Sequence, residues 1–189
     1  MCGRFYFGSY TANIVEKTFN IFGGVGTVGD VTPGMSPMVL SGRKERLTEE
    51  TMHWGIKNRN GGLIINARAE SVYEKPMFSE SMEYRRIIIP AEHFYEWDRD
   101  KNKVTFSLPD SEIIYLAGFY NLINNVDSFV ILTTEANESM EKVHDRMPLM
   151  IEAKDVNDWI MESGKTREFL HRKMPELHSE RKYEQLSLF

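Results

Sequence analysis

The stretch "RRIIIP", residues 85–90, decides the fold, because it is a short apolar run bounded by two arginines and a proline. Two similar runs follow it, "EIIYLAGFY" at residues 112–120 and "SFVILTT" at residues 128–134. Apolar runs of this length are typical of buried strands. Together the three runs predict a sheet in the middle of the chain.

Helical patterns lie mainly toward the two ends of the chain. They cover residues 9–24, 135–144, 153–163 and 165–173, and a short strand is expected near residues 38–40. The helix over 135–144 is expected to end before Pro148, since proline cannot continue a helix. Strands in the middle and helices at the ends predict an α+β fold with a curled antiparallel sheet.

Composition limits the classes of function. The chain has 189 residues, a hydrophobic fraction of 41% and a formal net charge of −5. These values predict one globular domain, expected to be monomeric, that does not bind nucleic acid over a broad basic surface. A single cysteine permits no intramolecular disulfide and fits a reducing cytoplasm. No apolar run is long enough to span a membrane. We expect a domain over residues 1–178 and a tail over residues 179–189.

That single cysteine is Cys2, in the stretch "MCGRF". A small second residue normally allows the initiator methionine to be removed, which would leave a free amine and a thiol on adjacent carbons. From the usual pKa values of an α-amine and a thiol, both groups are expected to be partly deprotonated at neutral pH. The amine can condense with an aldehyde and the thiol can close on the imine, giving a thiazolidine ring. The alternative is a disordered start with an inert thiol.

The stretch "INARAES", residues 65–71, places two polar side chains on one face. Asn66 and Arg68 are two residues apart, so they share a face of an extended segment. Asn66 could orient the reacting amine or a substrate, and Arg68 could hold a phosphate. The alternative is a strand end with a capping amide.

The stretch "PAEHFYEW", residues 90–97, contains a glutamate between two aromatic residues. Glu96 lies between Tyr95 and Trp97, where burial would let a carboxyl group act as a proton shuttle. Glu92 competes for this role. The alternative is a surface glutamate on a half-exposed strand.

The stretch "VHDRMP", residues 143–148, presents a histidine at the end of a predicted helix. His144 precedes Asp145 and Arg146, a polar setting that fits an accessible imidazole. The alternative is a structural histidine. The other histidines have no metal-ligand spacing with Cys2 or with one another, so no zinc or other metal site is predicted.

Taken together and in this order, these segments resemble the SOS response-associated peptidase (SRAP) family. The matching stretches are "MCGRF", "INARAE", "FYEW" and "HDRMP", with the pair Trp54-Gly55, and the resemblance covers roughly residues 1–160. It implies a small bent β-barrel with flanking helices. It also implies an activity without a cofactor, namely recognition of abasic sites in single-stranded DNA and covalent crosslinking to them.

The resemblance also implies roles for the reacting residues. Cys2 would be the nucleophile that supplies both the amine and the sulfur. Asn66 would position the reactive terminus and help to recognise the lesion. Glu96 would assist opening of the sugar ring and proton transfer at the imine, and His144 would assist Schiff-base chemistry and β-elimination.

Other matching residues imply contacts with DNA. Arg4 and Arg68 would hold phosphates that flank the lesion, and Arg146 is also expected to contact DNA. Pro33 and Trp54 would lie near the DNA channel, where an aromatic ring can stack on a base. One departure is Asp30, which stands where the family usually has an asparagine.

The last five residues, "QLSLF", resemble the pentapeptide with which bacterial proteins dock into the sliding clamp of the replisome. Leu186, Leu188 and Phe189 would be the apolar anchors and Gln185 the polar contact. The alternative is a frayed terminus or a final strand packed on the core.

Two other classes of function fit the same residues. In an N-terminal nucleophile hydrolase, Cys2 would attack an amide and its own amine would act as the base. A non-catalytic adaptor would bind DNA and the clamp, and would keep its function when Cys2 is replaced by alanine.

Overall fold

A computed structural model describes residues 2–21, 28–58 and 60–181 of the chain, and these residues form fifteen strands and four α-helices. The strands are β1 (Phe5–Phe7), β2 (Gly29–Val31), β3 (Met38–Arg43), β4 (Arg46–Thr51), β5 (His53–Trp54), β6 (Ile56–Lys57), β7 (Leu63–Ile64), β8 (Asn66–Arg68), β9 (Arg86–Ala91), β10 (His93–Trp97), β11 (Lys103–Ser107), β12 (Ile114–Ile123), β13 (Val126–Glu135), β14 (Arg146–Pro148) and β15 (His178–Arg181). The helices are α1 (Ser9–Phe19), α2 (Pro76–Tyr84), α3 (Val156–Met161) and α4 (Thr166–Leu170).

The three apolar runs form the centre of the larger sheet, as predicted. They are β9, β12 and β13, and the strand order of this sheet is β14-β13-β12-β9-β3-β4. Every residue of β9 is buried, which explains why its sequence is continuously apolar instead of alternating. Gly118 in β12 is required by close packing, because a Cβ atom there would lie 2.6 Å from the carbonyl oxygen of Val130.

The smaller sheet places the start of the chain beside the "FYEW" segment. Its strand order is β15-β11-β10-β1-β2. Strands β1 and β10 are antiparallel, with Phe5 opposite Phe94 and Tyr6 opposite His93. Residues 178–181 belong to this sheet, because β15 pairs with β11.

The predicted α+β class is confirmed, but the strands of the described residues do not close into a barrel. They divide into the two sheets above and the small β6-β7 pair. The larger sheet is also mixed, since β5 and β8 run parallel to β13. Both strands are short, so they extend one edge of β13 without linking the two sheets into a cylinder.

The helix predicted over residues 135–144 is wrong. Glu135 is the last residue of β13, residues 138–143 form turns, and "RMP" forms strand β14, which pairs with the end of β13. The Asn137 side chain accepts hydrogen bonds from the backbone and the hydroxyl of Ser139. Such local bonds compete with helix formation at asparagine and serine.

The other helical predictions are confirmed, with shorter bounds. The first predicted helix is α1, which ends at Phe19 because Asn20 adopts a left-handed conformation with φ 50°. Its predicted end at Gly23 and Gly24 lies outside the described residues. Helices α3 and α4 match the two amphipathic patterns. None of the helices in the described ranges is long and apolar enough to cross a membrane.

Candidate active site

Cys2 and Asn66 are joined by a direct hydrogen bond, although 64 residues separate them. Pairing with Ile131 of β13 fixes Asn66 at the start of β8. Its Nδ2 donates to the backbone carbonyl of Cys2 at 2.9 Å. Its Oδ1 is buried and accepts no hydrogen bond from the described residues. This leaves a buried acceptor next to Cys2.

Strand β10 brings Glu96 to the same place. The β1–β10 register continues to Arg4, whose carbonyl oxygen accepts a hydrogen bond of 2.9 Å from the backbone N–H of Tyr95. The Glu96 side chain lies close enough to Cys2 for its charge to act on the thiol. The Glu96 side chain is 4% exposed, so the predicted burial of this residue is confirmed. The competing residue, Glu92, instead accepts a hydrogen bond of 3.1 Å from the hydroxyl of Thr11.

Burial determines the ionisation of the thiol. Cys2 is 1% exposed. Desolvation, reinforced by the negative charge of Glu96, raises the pKa of the Cys2 thiol to about 12. The expectation that this thiol is partly deprotonated at neutral pH is therefore wrong for the chain in which Met1 precedes it.

His144 lies in the turn that leads into β14. Its Nδ1 is 3.0 Å from the backbone N–H of Arg146 and 2.9 Å from Oδ1 of Asp145. The backbone N–H can only donate, and the Asp145 side chain is mostly exposed. Nδ1 therefore faces a backbone donor and a carboxylate oxygen at the same time.

The structure corrects the expectation that Arg146 contacts DNA. Its two terminal nitrogens donate to Glu70 at 2.7 and 2.8 Å, and one also donates to the carbonyl of Thr133 at 2.6 Å. This bidentate pair lowers the pKa of the Glu70 carboxyl group. Only about a tenth of the Arg146 side chain is exposed, so the guanidinium is part of the internal packing.

Trp54 is also a core residue. It is fully buried, its ring stacks on Phe129 at a centroid distance of 6.0 Å, and its Nε1 donates to the carbonyl of Ile65 at 3.1 Å. The expectation that this ring stacks on a DNA base is therefore wrong for this conformation. Pro33 lies nearby and is partly exposed, in a loop held by a 2.9 Å hydrogen bond from Gly34 N–H to the Trp54 carbonyl.

The two remaining arginines differ in their surroundings. Arg68 ends β8 and is exposed. Arg4 is half-buried, with its Nε 3.4 Å from Oδ2 of Asp30 in β2. The four clamp-motif residues, Gln185, Leu186, Leu188 and Phe189, lie outside the described residues, as does Met1.

Sequence reasoning did not single out Trp97 as a contact residue. It follows Glu96 on β10 and, at 40% exposure, is one of the exposed large hydrophobic residues. The alternation of side chains along a strand was the available signal, since a buried Glu96 places Trp97 on the other face. A separate cavity of about 760 Å³ lies between α1 and residues 108–115, and includes none of the predicted site residues in its lining.

These features define an α+β protein whose candidate active site combines a buried cysteine, an asparagine bound to its carbonyl, and a buried glutamate. The family model described as "SOS response associated peptidase (SRAP)" matches residues 1–187. The chain belongs to this family.

Similar proteins agree in sequence and in fold. The abasic site processing protein YoqW of Bacillus subtilis is 34% identical over 182 residues, which cover 85% of this chain and 80% of that protein. YoaM, an abasic site processing protein of the same organism, is 30% identical, with coverage of 90% and 83%. A crystal structure from Bordetella bronchiseptica superposes with a TM-score of 0.81 at 19% identity, covering 96% of this chain and 100% of that one. A phage-related protein from the same organism gives a TM-score of 0.80 at 21% identity, with coverage of 96% and 94%.

Proposed function

We propose that this protein processes abasic sites in single-stranded DNA by forming a covalent bond through Cys2. The observation that carries the proposal is the convergence of Cys2, Asn66 and Glu96 at one buried place. The names of the relatives, abasic site processing proteins, support the substrate. Removal of Met1 is part of the proposal, because it frees the amine of Cys2.

The reaction joins the 1,2-aminothiol to the aldehyde of the opened deoxyribose. The amine adds to the aldehyde carbon and one water is lost, which gives an imine. The sulfur then bonds to the imine carbon, and the thiol proton passes to the nitrogen. The product is a five-membered thiazolidine, and the overall change is the loss of one water. Closure is favoured because sulfur and nitrogen belong to one residue.

The neighbouring residues have distinct proposed roles. Asn66 holds the Cys2 carbonyl through Nδ2, and its buried Oδ1 can accept a hydrogen bond from the freed amine or from a sugar hydroxyl. Glu96 transfers protons during ring opening and imine formation. His144 assists the Schiff-base chemistry and β-elimination.

The DNA contacts are proposed from exposure. Arg68 is exposed and can bind a phosphate that flanks the lesion. Arg4 is proposed to bind another phosphate. Pro33, on the same loop as Gly34, is proposed to lie near the DNA channel. Trp97 offers an exposed ring on which a base can stack.

The predicted tail over residues 179–189 starts too early, because residues 179–181 belong to β15. We propose that residues 182–189 are a tail whose Gln185, Leu186, Leu188 and Phe189 bind the bacterial sliding clamp. An apolar motif with a polar first residue is a form that a docking groove can recognise. Crosslinking does not depend on this interaction.

The test is denaturing electrophoresis and intact mass after incubation with an abasic single-stranded oligonucleotide. We expect a band that survives SDS, with the mass of the protein lacking Met1 plus the oligonucleotide minus one water. An undamaged oligonucleotide is the control, and Cys2→Ser should keep an imine-forming amine but lose the stable ring. Retention of Met1, or a lesion oligonucleotide that runs free of the protein, would overturn the proposal.

The family description favours a second candidate, an N-terminal nucleophile peptidase. It predicts an acyl-enzyme with peptide substrates and no adduct with abasic DNA. The same mass measurement, made with a peptide in place of the oligonucleotide, separates the two functions.

A further inference from the structure

Arg4 lies beside a carboxylate that is itself held in place. Its Nε is 3.4 Å from Oδ2 of Asp30, and this Nε is buried without a hydrogen bond from the described residues. The contact is therefore a long ion pair, not a well-formed hydrogen bond. It leaves the guanidinium able to bind another anion.

Asp30 is fixed by a chain of hydrogen bonds across the outer face of the smaller sheet. The hydroxyl of Tyr95 donates to Oδ1 of Asp30 at 2.9 Å, and Nε2 of His93 lies 2.8 Å from the same hydroxyl. A phenol has one proton, and here Asp30 receives it, so His93 must donate through Nε2. The His93 ring is in turn stacked on Tyr6 at 4.9 Å.

The ionisation of these groups is consistent with this direction of donation. Burial, reinforced by the hydrogen bond to Asp30, raises the pKa of Tyr95 to about 12, so its hydroxyl keeps the proton. Desolvation lowers the pKa of His93, and its neutral form with a proton on Nε2 fits the geometry. The hydrogen bond from Tyr95 therefore holds the Asp30 side chain in its orientation beside Arg4.

We propose that Asp30, held by Tyr95, is a specificity-determining residue that competes with DNA phosphate for Arg4 and so weakens binding to undamaged single strands. This inference rests on the proposed function, in which Arg4 binds a phosphate. A phosphate bound to Arg4 would lie close to the Asp30 carboxylate, which would repel it. Stable retention then depends on the covalent bond at a lesion more than on charge alone.

The test is fluorescence anisotropy with a labelled, undamaged single-stranded oligonucleotide over a series of salt concentrations. We expect Asp30→Asn to bind about threefold more tightly at low salt, as for a partly exposed ion pair. The slope of log affinity against log salt should steepen by up to about 0.7, the value for one added phosphate contact on a single strand. Tyr95→Phe should also raise the affinity for single-stranded DNA, but by less, because Asp30 keeps its carboxylate and loses only the hydrogen bond from Tyr95.

Asp127→Asn is the matched control. Asp127 pairs with Arg43 at 2.7 Å, is also partly exposed, and its replacement changes the net charge by the same amount. We expect no change of slope for this variant. Equal effects of Asp30→Asn and Asp127→Asn, or weaker binding by Asp30→Asn, would overturn the inference while abasic crosslinking by the wild type remained intact. Absence of both DNA binding and crosslinking in the wild type would instead overturn the proposed function.

Discussion

The burial of Cys2 sets the order of the two bond-forming steps in the proposed reaction. Desolvation of the buried side chain disfavours the thiolate, and a protonated thiol is a poor nucleophile toward the aldehyde. The amine therefore reacts first. The thiol adds only to the imine, whose nitrogen can take the thiol proton in the same step, so no free thiolate has to accumulate.

The protonated state of Cys2 can be measured by alkylation. In the form that keeps Met1, iodoacetamide at pH 8 should modify the native protein at least about tenfold more slowly than the urea-unfolded chain, because burial suppresses the thiolate. Cys2 is the only cysteine, so the mass increase reports this residue alone. Equal rates in the native and unfolded protein would contradict the structure's account of the thiol.

Glu96 and Glu92 can be separated by a pair of isosteric variants. Glu96→Gln should slow crosslinking about 100-fold and leave the affinity for single-stranded DNA unchanged, because a general acid–base group is lost while the shape is kept. Glu92→Gln should crosslink at the wild-type rate, since Glu92 is bonded to Thr11. Single-turnover rates on abasic DNA decide between them. If only Glu92→Gln is slow, the proton-transfer role belongs to Glu92.

At the scale of elements, β13 organises the candidate site. It pairs with β8, which carries Asn66, and with β5, which carries Trp54. Its far end pairs with β14, which begins at Arg146. The Arg146–Glu70 pair then ties β14 to the turn that follows β8. Displacement of this strand would move the asparagine, the tryptophan and the histidine turn together.

The Arg146–Glu70 pair should therefore contribute to stability. Arg146→Ala should lower the free energy of unfolding by about 2 kcal/mol, because it removes a nearly buried guanidinium and leaves the Thr133 carbonyl without this donor. Lys165→Ala, in an exposed pair with Asp158, should cost less than about 1 kcal/mol. Urea denaturation of the three proteins measures the difference. Equal losses for both variants would show that Arg146 is not structural.

The same pair has a predictable pH dependence. Arg146 lowers the pKa of Glu70, so the stabilisation is fully present above the carboxyl group's unfolded pKa and is lost as the pH falls through its lower folded value. Arg146→Ala should remove this part of the acid sensitivity. Urea denaturation midpoints of the wild type and of Arg146→Ala can be measured from neutral pH down to the pH range in which carboxyl groups titrate. The two curves of midpoint against pH should converge in acid.

How much the sequence predicts at this scale depends on how local the cause is. Strands β9, β12 and β13 could be predicted because burial on both faces leaves a continuous apolar run. The turns at residues 138–143 could not be predicted, because the side-chain bonds of Asn137 override a helical pattern. The burial of Trp54 is equally hidden, since its stacking partner Phe129 is 75 residues away in the sequence.

The candidate site shows the same limit. Cys2, Asn66, Glu96 and His144 could be selected as polar residues in unusual settings. The bond from Asn66 to the Cys2 carbonyl depends on a parallel pairing of β8 with β13 that no local pattern encodes. The Asp30–Tyr95–His93 chain depends in the same way on the order of β2, β1 and β10 in one sheet.

At the scale of the whole molecule, the protein and its proposed substrate, DNA, are both negatively charged. The net charge of −5 disfavours general attraction to DNA, and at least one of the proposed phosphate-binding arginines is partly neutralised by its neighbour. Such a protein would benefit from being brought to DNA by another contact. The proposed binding of residues 185–189 to the sliding clamp would supply that contact.

The division between a DNA-processing body and a recruiting tail can be tested by deletion. The ladder of the smaller sheet runs to Arg181, which lies opposite Val104, so a chain that ends at residue 181 keeps all of these pairs. Deletion of residues 182–189 should leave the melting temperature and the crosslinking of free abasic oligonucleotides unchanged, and should abolish binding to an immobilised bacterial clamp. The double variant Leu186→Ala and Phe189→Ala should lose the same binding at full chain length, because the two apolar anchors are gone. Clamp binding that survives both changes would assign recruitment to the body of the protein, and a large loss of stability on deletion would make the tail part of the fold.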